Sequence, residues 1–318
     1  MTKEEKAQSK RSWIIGLICV LFAQFLFGTT FSLNKYVIQQ GVDPILLGFN
    51  RTCIAIVCLF PFYWGRRNTT VWTLKDWRLV ILVGVFATAG AIILEYTGAK
   101  YTTASNVSLI MSIESLLTIY MAFLILKERL HPPVIYGGLG ALVGMFFVML
   151  DDFNSVEIHA NKELFGDFLV LASVLCWCAF TISSKRIVKR SNPLVAHFFI
   201  TVFACLSLGS VVAIQGTWRA WMEMDRISWY ITIYLGSFCS GLGYLLFFQA
   251  LKRLPASVVS LTLSLLPLFG VLFSILLLGE KLTYYQMLGG AVIIIGVGYA
   301  LRPQNNGHSI PGEVPPGL

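Results

Sequence analysis

Charge is what this sequence has least of. Asp, Glu, Lys and Arg make up 13% of its 318 residues, and 56% of the residues are hydrophobic. A soluble globular domain carries about 25% charge, so this balance belongs to an integral membrane protein. The net charge of +8 is spread in short basic runs between apolar segments. Nucleic acid would need those charges gathered on one surface, and no such partner is expected. Catalytic patterns are missing as well. There is no G-x-x-x-x-G-K-[ST] phosphate loop, no H-E-x-x-H and no G-x-S-x-G. ATP-driven transport within the chain and hydrolytic chemistry are therefore not expected. The seven cysteines (Cys19, Cys53, Cys58, Cys176, Cys178, Cys205 and Cys239) all fall in apolar segments without metal-ligand spacing, and the four histidines are scattered. They read as buried small side chains, so no catalytic residue, metal site or cofactor is expected.

What is there is a series of apolar runs, each near the roughly 20 residues needed to cross a hydrocarbon core. They are Trp13–Ser32, Pro44–Trp64, Trp77–Thr97, Ala104–Leu126 and Pro133–Leu150, then Gly166–Ile187, Leu194–Ile214, Ser228–Ala250, Ser257–Leu278 and Thr283–Leu301. The first is too long for a signal peptide's apolar core and lacks a clear cleavage site, so it reads as a retained spanning helix. Alternating the sides puts seventeen Lys and Arg with the amino terminus and six opposite. The positive-inside rule then places both termini in the cytoplasm, in a multi-pass cell-membrane protein. Trp and Tyr cluster at the run ends, as interfacial anchors do.

One stretch occurs twice. Lys100–Leu150, shifted without a gap, lands on Lys252–Arg302, matching Ser105/Ser257, Ser108/Ser260, Ser112/Ser264, Glu128/Glu280, Gly137/Gly289, Gly138/Gly290 and Gly144/Gly296 among others. Each half holds five runs, an odd number, so the second copy of any helix crosses in the opposite sense. The fold class read from this is all-α integral membrane, with ten transmembrane helices as two inverted five-helix repeats, an architecture associated with alternating access. The expected divisions are an amino-terminal tail (1–12), a first repeat (13–150), an extracytoplasmic linker (151–165), a second repeat (166–301) and a tail (302–318). The last is rich in Pro, Gly and Asn and is expected to be disordered.

Candidate functional residues follow from polar groups in apolar runs. Ser105, Ser108, Ser112 and Ser115 form one helical stripe, and Ser257, Ser260 and Ser264 repeat it. Two readings stand: the stripes are for close helix packing, or Ser108, Ser112, Ser260 and Ser264 line a central pathway. Intramembrane charges are costly and mark a pathway or a pair. Glu114 lies ten residues into its run and is the deepest charge; it is expected to face a cavity and take a proton or a substrate amine. Arg51 and Glu95 either form an ion pair with each other or contact the solute. Asn34 and Lys35 are candidates for the outer rim, and Tyr244 and Gln249 for hydrogen bonds to a solute. Lys100 and Lys185, near run ends, are expected to snorkel to water. Pro267 removes a backbone donor within the ninth run and is a candidate gate or bend.

The paired segments ILKERL and LLGEKL, each followed by a GG…G helix, are similar to the EamA family of the drug/metabolite transporter superfamily, over about Trp13 to Leu301. Lys35, Arg51 and the stretch Tyr96–Ser105 also match. The resemblance implies a secondary transporter of a small metabolite, amino-acid-like or related, with export the expected direction and protons the expected coupling ion. One departure is visible: Ser115 stands where the family usually has proline. The alternative is a channel-like protein or a scaffold without coupled transport. The expected partners are a small solute, protons and the lipid bilayer; the oligomeric state is left open.

Overall fold

The structure is a computed structural model and describes residues 3–66, 72–102, 104–128, 130, 132–149, 160–278 and 284–301. Ten helical rods account for the regular structure of these residues apart from one short connector. They are α1 (Lys3–Gln39), α2 (Pro44–Trp64), α3 (Leu74–Leu82, a π-helical stretch Val83–Ala89, then Gly90–Ala99), α4 (Ala104–Leu126) and α5 (Pro132–Met149). The second half has α6 (Ala160–Arg190), α7 (Pro193–Gln215), α8 (Arg226–Tyr234, a π-helical stretch Leu235–Gly243, then Tyr244–Arg253), α9 (Ala256–Thr262, a 3₁₀ turn Leu263–Leu265, then Leu266–Leu278) and α10 (Tyr284–Ala300). The connector is a short 3₁₀ helix, Thr217–Met222, between α7 and α8. The described parts of six rods (α1, α2, α3, α6, α7 and α8) are long and apolar enough to span a membrane, and shorter apolar helices make up the rest. Large apolar side chains face outward, Val57 at 71% exposure and Ile295 at 70% among them, as a hydrocarbon solvent requires.

Two boundaries differ from the hydropathy reading, because helical hydrogen bonding does not stop where hydropathy falls. α1 begins at Lys3, not Trp13, and runs past Ser32 through Asn34. α6 begins at Ala160, inside the segment read as linker. The remainder of that linker, 151–159, the LGEKL motif beyond Leu278 and the 302–318 tail lie outside the described residues.

The helix starts repeat between halves. Asp43 accepts from the backbone of Ile45 and Leu46 to cap α2, and Asn192 does so from Leu194 for α7, each just before a proline. Thr73 caps α3 through a reciprocal capping box with Asp76, and Asp225 caps α8. Contacts obey the same two-fold relation. Gly84 of α3 lies against Ile200 and Phe203 of α7, and Gly236 of α8 lies against Arg51 and Ile54 of α2. Between α5 and α10 the crossing is antiparallel: Gly137 meets Gly296, and Gly144 meets Gly289. A Cβ on Gly144 would fall 2.6 Å from the Gly289 carbonyl oxygen, so the glycine faces exist to let these backbones touch.

Helix ends within the protein are closed by charged side chains. Glu128, 4% exposed, accepts from the N–H of Ala256 at 2.8 Å, the N–H of Ser257 at 3.0 Å and the Ser257 hydroxyl at 2.8 Å. It thereby caps α9 from the end of α4. Lys185 corrects the snorkelling expectation: it is 7% exposed, and its ammonium donates to the carbonyls of Leu251 and Leu254 at the end of α8. The α8–α9 turn sits between this cation and Glu128, which removes the need for water. Lys100 does reach solvent and pairs with Asp43 at 3.5 Å.

Overpacking a close contact costs about 1–3 kcal/mol. Gly144→Val is expected to lower the thermal unfolding midpoint in detergent accordingly. Glu128→Ala strands buried backbone donors and a buried cation and is expected to cost about 3–5 kcal/mol; Glu128→Gln, measured the same way, costs less.

Candidate functional site

Near the middle of the bundle, polar side chains from six helices converge where the two halves meet. Arg51 of α2 donates from Nε to the Ser240 hydroxyl of α8 at 3.2 Å, and from Nη1 to Asn34 Oδ1 of α1 at 3.2 Å. Asn34 Nδ2 in turn donates to the Tyr96 hydroxyl of α3 at 3.3 Å. Glu95, beside Tyr96, accepts from the Trp177 indole of α6 at 3.0 Å. Glu95 is within electrostatic reach of Arg51, Glu114 of Glu95, and Tyr244 of all three. Glu95, Tyr96, Glu114 and Tyr244 are surrounded by protein yet keep part of their surface accessible. They are half-buried and not sealed within the apolar core.

The π-helical stretch of α8 builds one wall. A π turn holds an extra residue and rotates the backbone relative to an α-helix. Ser240 within it offers its hydroxyl to Arg51 and its carbonyl to His197 Nε2 of α7 at 3.0 Å. That imidazole, 3% exposed, must carry its proton on Nε2 to donate there, and Nδ1 faces the Thr201 hydroxyl at 3.2 Å. The ring stacks on Tyr244 with centroids 5.9 Å apart, and the Phe27 ring lies 4.7 Å from Tyr244. Tyr244 is thus fixed with its ring boxed by aromatics. Two carboxylates, Glu95 and Glu114, share the space with one guanidinium. Among the described residues the Glu114 carboxylate has no hydrogen-bond partner. The arrangement can hold a cation or a proton at Glu114 and an anionic group near Arg51.

Several expectations are revised. Arg51 and Glu95 do not touch as an ion pair; Asn34 and Ser240 hold the guanidinium and Trp177 holds the carboxylate. Ser260 and Ser264 are fully buried. Ser260 back-bonds to the Ala256 carbonyl at 2.8 Å and Ser264 donates to Ser115 across α4 and α9 at 3.3 Å. They serve helix packing here, since small hydroxyls satisfied in this way let helices approach. Gln249 gives its side-chain oxygen to Arg253, one turn on, and does not join the cluster. The side chains of Ser108, Ser112 and Lys35 lie outside the described residues. Pro267 follows the 3₁₀ turn Leu263–Leu265, and it has no N–H to offer the carbonyl of Leu263. Trp177, Ser240 and His197 were not singled out by sequence. A tryptophan away from the span ends and the run LGSFCSGLG were the available signals.

A model of the EamA-like transporter family matches residues 14–150 and 164–302. The chain belongs to the EamA-like transporter family. This EamA-like protein is 26% identical over 283 residues to the uncharacterized transporter YyaM of Bacillus subtilis, covering 88% of this chain and 91% of that one. It is 25% identical over 290 residues to a probable amino-acid metabolite efflux pump of Salmonella typhimurium, covering 87% and 92%. A crystal structure shares its fold with a TM-score of 0.74 at 17% identity, covering 92% of this chain and 96% of that one. The protein is a multi-pass membrane protein of a transporter family with a two-repeat, ten-helix architecture.

A buried carbonyl left without its donor costs about 1–3 kcal/mol. His197→Phe, which keeps the ring stack but strips the bond to Ser240, is expected to destabilise the protein by that amount in thermal unfolding. His197→Gln retains a donor and is expected to restore part of it.

Proposed function

We propose that this EamA-like protein is a secondary transporter that exports a small metabolite bearing both an amine and a carboxylate, in exchange for protons. The observation that carries this reading is the electrostatic proximity of Glu114, Glu95 and Arg51, which come from three different helices. A zwitterion matches that charge pattern: its carboxylate meets Arg51, Asn34 and Tyr96, and its amine meets Glu114 and Glu95. Proton and amine compete for Glu114, whose carboxylate has no hydrogen-bond partner among the described residues, and this competition couples their movements without further machinery. Alternating access follows from the inverted repeats, which can exchange conformations while the site stays between them. The Salmonella relative, described as a probable amino-acid metabolite efflux pump, supports an amino-acid-like solute and outward transport. The excess of Lys and Arg on one side supports cytoplasmic termini in the cell membrane.

Proteoliposomes loaded with a panel of radiolabelled amino acids and related metabolites test the reading. A saturable flux that an imposed pH gradient accelerates is expected. Glu114→Gln is expected to abolish the acceleration while leaving solute exchange. Arg51→Ala is expected to raise KM by roughly tenfold or more, because a lost charged hydrogen bond is worth about 1.5–3 kcal/mol, and to do so only for solutes with a carboxylate. Flux through Glu114→Gln that still responds fully to the pH gradient would remove the coupling role. Dissipation without saturation would favour a channel.

A further inference from the structure

A recess lies away from the central cluster, between the start of α3 and the end of α6. It has a volume of about 400 Å³ and is lined by Lys75, Asp76 and Leu79 of α3 and by Arg186, Ile187, Lys189 and Arg190 of α6. Four cations face one carboxylate. That carboxylate is committed locally: Asp76 Oδ2 accepts from the Thr73 N–H at 2.9 Å and the Thr73 hydroxyl at 2.6 Å. Its contact with Arg190 is loose, at 3.9 Å, and the arginine side chain is 77% exposed. Lys75, Arg186 and Lys189 are exposed as well. Arg186 gives one N–H to the Ile125 carbonyl at 3.1 Å and keeps its other donors, so the local field is positive.

Beyond the recess each helix carries exposed apolar side chains, the components of an acyl track. Seven residues beyond Lys75, on the same face of α3, comes Leu82 at 52% exposure, and Phe86, within the π-helical stretch, is 64% exposed. Eleven residues before Arg186, on the corresponding face of α6, comes Leu175 at 51% exposure. At 1.5 Å per residue the track reaches about 16 Å below Lys75. The edge-to-face pair Trp72–Trp77, with centroids 4.7 Å apart, marks the same end of α3 as the interface level. A soluble anion would use the cations and ignore the track. We propose that this recess binds an anionic phospholipid, its phosphate held by Lys75, Lys189, Arg190 and Arg186 and its acyl chains lying along Leu82, Phe86 and Leu175. The site is structurally independent of the transport reading.

The test is lipid retention by the full chain in mild detergent, read by native mass spectrometry with phosphatidylglycerol and phosphatidylcholine as probes. Each basic residue at an anionic surface contributes roughly a fivefold factor in affinity. The triple variant Lys75→Gln, Lys189→Gln, Arg190→Gln is thus expected to lose phosphatidylglycerol affinity on the order of a hundredfold, with phosphatidylcholine retention unchanged. Lys75→Glu alone is the second variant should the triple one fail to fold, with the same direction expected. Leu82→Ser with Phe86→Ser is expected to weaken phosphatidylglycerol retention with the basic residues intact. Equal retention by parent and charge variants would overturn the proposal. Displacement of phosphatidylglycerol by inorganic phosphate would overturn it too, by making the recess a site for soluble anions.

Discussion

A backbone group inside a hydrocarbon layer has no water to bond, so every departure from the α-helix must be met by another part of the protein. That constraint explains where this chain spends its few polar side chains. The π-helical stretch of α8 turns the Ser240 carbonyl toward α7, and His197 supplies the donor. The turn between α8 and α9 exposes carbonyls on one side and N–H groups on the other. Lys185 closes the first set and Glu128 the second. These residues carry charge or a titratable ring, yet in this conformation their bonds serve the backbone. The same constraint separates them from Glu114, whose carboxylate closes no helix end.

The scaffold is symmetric and the site is not. Capping residues, π-helical stretches and glycine contacts recur in both halves at matching positions. The residues of the central cluster do not recur. Along the repeat Glu95 faces Phe247, Tyr96 faces Phe248 and Glu114 faces Leu266, while Ser115 has Pro267 as its counterpart. The first half keeps the carboxylates and the guanidinium, and the second supplies Trp177, Ser240 and Tyr244 to position and enclose them. A duplicated fold can exchange two conformations, and one half specialised for chemistry gives it a single binding site.

The recess at the α3–α6 end follows a different logic. There the charges remain exposed and above an apolar track, in the order in which a phospholipid presents its headgroup and chains.

Read alone, the chain determined its class, its ten helices and its inverted duplication. Hydropathy, charge asymmetry and an ungapped repeat are local properties, and each survives without knowledge of contacts. Only the tertiary structure decided what the polar residues do. Depth left Arg51 and Glu95 as an ion pair or as solute contacts, and in the fold Asn34 and Ser240 hold the guanidinium while Trp177 holds the carboxylate. Ser260 and Ser264 had the spacing of a pathway, but spacing cannot say whether a helix face meets a cavity or another helix. Lys185 looked solvated at a helix end, but the carbonyls it closes belong to a turn 66 and 69 residues later. Hydrogen-bond partners in a membrane bundle are set by which helices pack together, and that choice is made in three dimensions.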